Sequence, residues 1–213
     1  MMAILPLTIF ATSAFAADRD YYVYAERGAQ ASTTAANDFN GVNFGVSTGF
    51  TTASLSEDSA PRSTPTQVPV VGSIGFSHTW NQFYMGVAGQ FGWNFPVFTK
   101  GFKTGSIVSN RPRWQSIAEV QVGGLISGTN LIHLDAGYAL GHFNYLDSTS
   151  TNRTYTQGGP TVGMGVSLQL SDHVNFDMNY HFIYYLNKKG LTNAGAIRVN
   201  QHLATVGLSF HFG

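Results

Sequence analysis

The sequence predicts an all-β fold: eight antiparallel strands closed into an up-and-down transmembrane barrel, with a short N-terminal extension. Three observations lead there. Apolar residues alternate with small or polar ones over eight stretches, the period-2 mark of strands with two unlike faces. The connections between these stretches run long, short, long, short, long, short, long. Charged residues make up only 10% of the chain, while aromatics reach 14% and Gly numbers 24. A typical soluble domain carries roughly 25% charge. After the N-terminus no run reaches the roughly 18 apolar residues that a membrane-spanning helix needs. A barrel crosses instead with short strands that alternate between lipid and lumen.

Residues 1–16 read as a signal peptide. Ala3 to Phe15 is apolar and ends at Ala14-Phe15-Ala16, an A-x-A-like cleavage site that would leave Ala17 first. Met1-Met2 supplies no basic residue, so the true start is expected upstream. Residues 17–40 read as a periplasmic extension, with Tyr21 to Tyr24 a short strand candidate. Two placements are open for it: across the barrel mouth, or disordered. Residues 41–213 form the barrel.

The first strand, about Gly41 to Thr51, sets Val42, Phe44, Val46 and Phe50 against Asn43, Gly45, Ser47 and Gly49. A Ser/Thr/Pro-rich stretch follows to about Thr66. The second, near Val68 to Trp80, exposes Val70, Ile74, Phe76 and Trp80. A tight turn leads to the third, where Phe83, Met85, Val87, Phe91 and Trp93 oppose Tyr84, Gly86, Ala88, Gln90 and Asn94. A long loop spans Phe95 to Pro112. The fourth, about Arg113 to Ile126, points Trp114, Ala118, Val120, Val122 and Ile126 away from Glu119, Gln121 and Gly123. After Ser127-Gly128-Thr129 the fifth sets Ile132, Leu134, Ala136, Tyr138 and Leu140 against His133, Asp135, Gly137 and Gly141.

A loop then spans about Asp147 to Gly159. The sixth strand alternates from Thr161 to Leu170 and turns at Ser171-Asp172. The seventh sets Val174, Phe176, Met178, Tyr180, Phe182 and Tyr184 against Asn175, Asp177, Asn179 and His181. A loop from about Asn187 to Asn200 leads to the last strand, Gln201 to Phe212. There Ala204, Val206, Leu208, Phe210 and Phe212 oppose Leu203, Thr205, Gly207, Ser209 and His211.

A soluble sandwich buries its apolar faces and wets its polar ones. It has no reason to alternate loop length or to place Gly and Ser along one face throughout. Eight strands enclose an interior just wide enough for side chains to fill. Aromatics gather at strand ends: Trp80, Phe83, Phe210 and Phe212 at one rim, and Trp93, Phe95, Trp114, Tyr145 and Tyr184 at the other. Such paired girdles mark the two membrane interfaces.

Two stretches carry a family resemblance. One is Thr205-Val206-Gly207-Leu208-Ser209-Phe210-His211-Phe212, similar to the C-terminal insertion signal of bacterial outer-membrane barrels through Gly207, Phe210 and Phe212. Here Gly213 follows the final aromatic. The other runs from Gly163-Met164-Gly165 through Leu170-Ser171-Asp172-His173-Val174-Asn175-Phe176 to Asn179-Tyr180. From about Gly41 to Phe212 the chain resembles the small, porin-like outer-membrane barrels of OmpA, OmpX and the opacity-type surface antigens. The resemblance implies the outer membrane of a Gram-negative-type bacterium, insertion by the barrel assembly machinery, and loops used for adhesion or evasion of host defences. It also implies a lumenal Arg after the Tyr, paired with an inward Glu. This chain has His181 there.

The inward polar set is Glu119, Gln121, His133, Asp135, Asp177, Asn179, His181 and His211. A carboxylate in a narrow lumen must be paired, hydrogen-bonded or protonated. A structural network that plugs the lumen is the plain reading. A proton-gated pore is the sharper one, since His changes charge near neutral pH. A metal site needs three or more converging ligands, which strand periodicity does not establish, so no metal and no cofactor is assigned.

The neutral net charge hides a polarised molecule. Nine of the eleven Lys and Arg fall in or beside the four proposed outer loops, accompanied by only Glu57, Asp58 and Asp147. Lys100, Lys103, Arg111, Arg113, Lys188, Lys189 and Arg198 are the expected contacts to lipopolysaccharide phosphate, with host or acidic glycan ligands the alternative. No nucleic-acid motif is present, because the Gly-x-Gly pairs lie inside strands. With no Cys, disulfides and thiolate metal sites are excluded. No enzyme is expected: His142, His202, Ser148 and Ser150 show no nucleophile–base pairing in sequence. The functional expectation is a surface barrel that contacts lipopolysaccharide and serves envelope integrity or adhesion. A small pore for ions or solutes is the alternative.

Overall fold

The computed structural model describes residues 39–57, 60–63, 66–96, 107–126, 129–147, 152–192 and 195–212. The proposed signal peptide and nearly all of the 17–40 extension lie outside these residues, as do Lys100, Lys103, Ser148, Ser150 and Gly213.

Eight long strands form one closed antiparallel sheet. They are β1 (Gly41–Glu57), β3 (Thr66–Trp80), β4 (Phe83–Pro96), β5 (Ile107–Ile126), β6 (Asn130–Asp147), β7 (Asn152–Ser171), β8 (Val174–Thr192) and β9 (Gly195–Phe212). A four-residue β2 (Ala60–Ser63) folds back on the far end of β1. β1 pairs with β3, each long strand from β3 on pairs with the next, and β1 pairs with β9 from Val42↔Phe212 to Glu57↔Ile197, which closes the barrel. Closure leaves no free sheet edge, the condition for a β-structure in lipid. The turn after β3 is tight because Asn81 takes the left-handed region, φ 55°, which Asn tolerates better than most residues.

The outward faces are those the alternation predicts. Val46 and Phe50 are each 65% exposed and Met164 57%, beside Val42, Phe44, Ile74, Phe76, Val87 and Leu134. An apolar exterior of this extent suits lipid, not water. Trp80, Phe83, Phe210 and Phe212 stand exposed at the short-turn rim, and Trp93, Phe95 and Tyr184 at the other. No helix among the described residues is long and apolar enough to cross a membrane.

Two expectations need correction. First, much of the supposed loop sequence is strand. β1 continues to Glu57, β5 begins at Ile107, β7 at Asn152 and β9 at Gly195, while β8 runs to Thr192. Arg111, Lys188, Lys189 and Arg198 therefore lie on strands. A ladder needs only its backbone hydrogen bonds to continue. The clean alternation marks the lipid-facing part of a strand, not its end. Second, the inward face is not small and polar throughout. Its outer half carries a large apolar cluster: Ala53, Ile117, Ala139, Phe143, Tyr155, Ile183, Tyr185, Val199 and Leu203 are buried together, among amides such as Gln115 and Gln201.

Candidate functional site

The lumen is filled in layers, beginning at the short-turn mouth. Phe39, just before β1, turns inward and is 1% exposed. Its ring meets Tyr84 edge-on at 6.3 Å and His211 at 5.6 Å. The Ser77 hydroxyl donates to the Phe39 carbonyl at 2.6 Å, and the Thr79 N–H donates to Asn40 Oδ1. The last two residues of the proposed extension thus stopper the barrel. Leu125 and Leu131 complete this layer.

Above it sits the polar network. His181 Nε2 on β8 lies 2.9 Å from Glu119 Oε2 on β5 and 3.7 Å from Asp135 Oδ2 on β6. His133 Nδ1 lies 2.7 Å from Asp135 Oδ1. Gln90 and Gln121 both donate to Glu119 Oε1, at 2.8 and 3.1 Å. The Tyr84 hydroxyl donates to Gln121 Oε1 at 2.9 Å. Asp177 accepts from the Ser167 and Ser209 hydroxyls. Asn175 and His211 meet at 3.1 Å. Asn179, with Asp177, His133 and His211, lines a cavity of about 60 Å³ between the network and Phe39.

All eight sequence-predicted lumenal residues therefore face inward. Glu119, Gln121, His133, Asp135 and His181 form one connected set, while Asp177 and the Asn175–His211 pair sit nearer the mouth. His181, standing where the resemblance implies Arg, pairs with the inward Glu. Residues from neighbouring strands meet here because antiparallel register brings Gln121 level with Asp135, and Gly163 level with both Asp135 and His181.

The outer half was missed in sequence. Phe143 stacks on Tyr155 at 5.3 Å and meets Tyr185 edge-on at 5.1 Å. Gly141 makes room: a Cβ there would stand 2.7 Å from the Tyr185 hydroxyl and 2.8 Å from the Phe143 ring. Within this apolar mass Gln201 is satisfied on all sides. It accepts from Tyr185 at 2.9 Å and donates to Thr51 at 2.6 Å and to Gln115. The signal lay in the run Ile183-Tyr184-Tyr185-Leu186, which is apolar on both faces. A strand with lipid on one face and a packed apolar interior on the other reads this way.

Outside, at the far rim, the register slips between Pro112 and Trp114. Pro has no N–H to give a ladder, so a bulge suits it. The slip turns Arg113 and Trp114 to the same outer side. The Arg113 guanidinium lies 5.6 Å from the Trp93 ring centre. Trp114 stacks on His142 at 5.4 Å, nearly parallel, and on Phe91 at 5.9 Å. His142 Nδ1 lies 3.0 Å from the Thr156 hydroxyl, and His202 Nδ1 lies 2.7 Å from that of Tyr180.

Residues 128–213, which include β6 to β9, match the family model of the OmpA-like transmembrane domain. Closed and apolar on its outer face, the described barrel is thus similar over β6 to β9 to a domain of outer-membrane proteins of Gram-negative bacteria. The barrel is also similar to three solved structures. The N-terminal β-barrel domain of Pseudomonas aeruginosa OprF has 12% identity, covers 81% of this chain and 98% of its own, and gives a TM-score of 0.48. Ail, the attachment invasion locus protein of Yersinia pestis, has 14% identity, 81% and 99% coverage and a TM-score of 0.47. Neisserial surface protein A has 16% identity, 79% and 97% coverage and a TM-score of 0.45. No role passes to this barrel from likenesses of that size. No curated protein matches its sequence.

Proposed function

We propose that this barrel is a closed-lumen surface protein that grips lipopolysaccharide through its basic outer rim and serves envelope integrity or adhesion. Arg113 carries the reading. The bulge after Pro112 aims it outward, and the Trp93 face holds it at the aromatic girdle. Lipopolysaccharide phosphates lie at that level, and a planar guanidinium matches a phosphate by paired, charge-assisted hydrogen bonds. Arg111, Lys188, Lys189 and Arg198, on the strand ends beyond the lipid-facing alternation, add positive charge to the same end; Lys100 and Lys103 fall in the sequence between β4 and β5 and are proposed as further contacts. Acidic host or glycan ligands would meet the same surface. The end of β9, with Gly207, Phe210 and Phe212, serves as the signal read by the barrel assembly machinery. No catalytic role is proposed.

The test is thermal unfolding of refolded protein in vesicles with and without lipopolysaccharide. Wild type gains stability from lipopolysaccharide. Arg113→Ala loses a part worth about 1.5–3 kcal/mol, the scale of a hydrogen bond to a charged group, and keeps its stability in plain phospholipid. An equal gain in both proteins would sink the reading. A small pore is the second reading, favoured by the cavity of about 60 Å³ beside the network. The stacked aromatics above it oppose flow. Planar-bilayer recordings from about pH 5 to 8, where His changes charge, are therefore expected to stay silent. Steady current would promote the pore.

A further inference from the structure

The centre of the lumen holds an arrangement that neither the surface role nor plugging requires. Glu119, Asp135 and His181 come from three strands, are all buried, and each offers a ligand atom within 4.8 Å of the others'. We propose that they form a site for one divalent transition-metal ion of the zinc or manganese kind.

Four observations support it. The first is spacing. Two ligand atoms bound to one ion at about 2.0–2.2 Å each stand roughly 3–4 Å apart. His181 Nε2 lies 2.9 Å from Glu119 Oε2 and 3.7 Å from Asp135 Oδ2. The widest gap closes when one carboxylate swings inward.

The second is an oxygen with no other use. Asp135 is 4% exposed, and its Oδ2 has no hydrogen-bond partner among the described residues. Its distance of 3.7 Å from His181 is too long for a hydrogen bond. A buried carboxylate oxygen left so is costly, and a cation between it and His181 would use it.

The third is how the carboxylates are tied. Asp135 Oδ1 is held by His133, and Glu119 Oε1 by Gln90 and Gln121. Each group thus has one oxygen fixed by a neighbour and the other turned to His181. Supports of this kind orient the ligands of metal centres.

The fourth is charge and room. Among the described residues, two buried carboxylates face each other across the His181 imidazole, and a divalent ion would neutralise them. Gly163 keeps space beside them: a Cβ there would stand 2.8 Å from His181 Cδ2 and 3.1 Å from Asp135 Oδ2. Imidazole nitrogen with carboxylate oxygen, and no thiolate, suits zinc or manganese better than a soft ion. The cavity lined by Gln121, His133, Asp177 and His211 reaches the cluster from the short-turn side, behind Phe39. The outer half is closed by its aromatics.

The test uses the whole barrel, refolded in detergent, stripped with chelator and titrated with ZnCl2 and separately with MnCl2. We expect one ion per barrel from at least one of the two salts, with a micromolar or tighter Kd. The unfolding midpoint should rise by several degrees at a hundredfold excess over Kd. In wild type, the imidazole 15N signals of His181 should shift on adding zinc, while those of His142 and His202 stay in place. Asp135→Asn and His181→Gln should bind 10- to 100-fold more weakly, with folding checked by heat-modified gel mobility. Failure of wild type to take up either ion would overturn the proposal. So would binding that moves only the exposed histidines, or folded variants that bind as tightly as wild type. Where a variant does not fold, the wild-type stoichiometry and histidine shifts decide.

Discussion

The two halves of this lumen meet one packing demand with opposite chemistry. Toward the short turns the space is filled by carboxylates, imidazoles and amides in a connected network. Toward the far end it is filled mainly by Phe143, Tyr155, Ile183, Tyr185 and Leu203, with amides such as Gln115 and Gln201 set among them. The sheet needs neither chemistry, since its own ladder satisfies the backbone. The interior is thus free to follow other needs. The apolar half asks only for volume and shape. The polar half asks that every donor find an acceptor, and it is costly wherever one does not.

Three substitutions would break or sharpen this contrast. The largest effect is expected from Tyr185→Ala, which removes the ring against Phe143 and the hydroxyl on Gln201. A loss of about 3–5 kcal/mol is expected from truncating a buried aromatic, read as a lower urea midpoint in detergent. Brief current openings absent from wild type should accompany it. An unchanged midpoint with continued silence would deny the outer half its role as a plug. Next is Glu119→Ala, which strips His181 of its hydrogen-bond partner and leaves two amides without an acceptor. It should cost about 1–3 kcal/mol. In a double-mutant cycle with His181→Ala the effects should be well short of additive, and simple additivity would dissolve the network into separate residues. The smallest is Tyr84→Phe, which deletes one hydroxyl bonded to Gln121 and keeps the ring on Phe39. About 1 kcal/mol is expected. A loss as large as that of Tyr185→Ala would make the polar half the stiffer of the two.

What the sequence disclosed follows the same division. Alternation located all eight strands and their outward faces because lipid and lumen differ sharply along the lipid-facing stretch of each strand, from Val42 in the first to Phe212 in the last. The inward positions of Glu119, His133, Asp135 and His181 followed from period 2 alone. Their partners did not, because which strands stand level depends on turn geometry and stagger. The outer half was hidden because both faces are apolar there, so Ile183 to Leu186 has no period to detect. The basic positions from Lys188 to Arg198 read as loop since polar residues on both faces also erase the period. The Pro112 bulge was equally silent, although Pro beside Arg113 and Trp114 was a usable hint. Phe39 gave no sign in sequence, being one aromatic in a Gly-, Ala- and Thr-rich stretch.

The seam between β1 and β9 has a consequence for the order of assembly. Every other barrel pair joins neighbours in the chain and forms as a local hairpin. The seam joins residues more than a hundred positions apart, and such contacts are slow to form. Two lumenal contacts span it, Thr51 with Gln201 in the outer half and Phe39 with His211 at the mouth. Neither half of the interior is complete while the seam is open, and until then β1 and β9 each present a bare edge. Zipping the seam and setting the core are thus a single late event. A substitution at Gln201 or Phe39 should slow that final step more than it slows the formation of any hairpin.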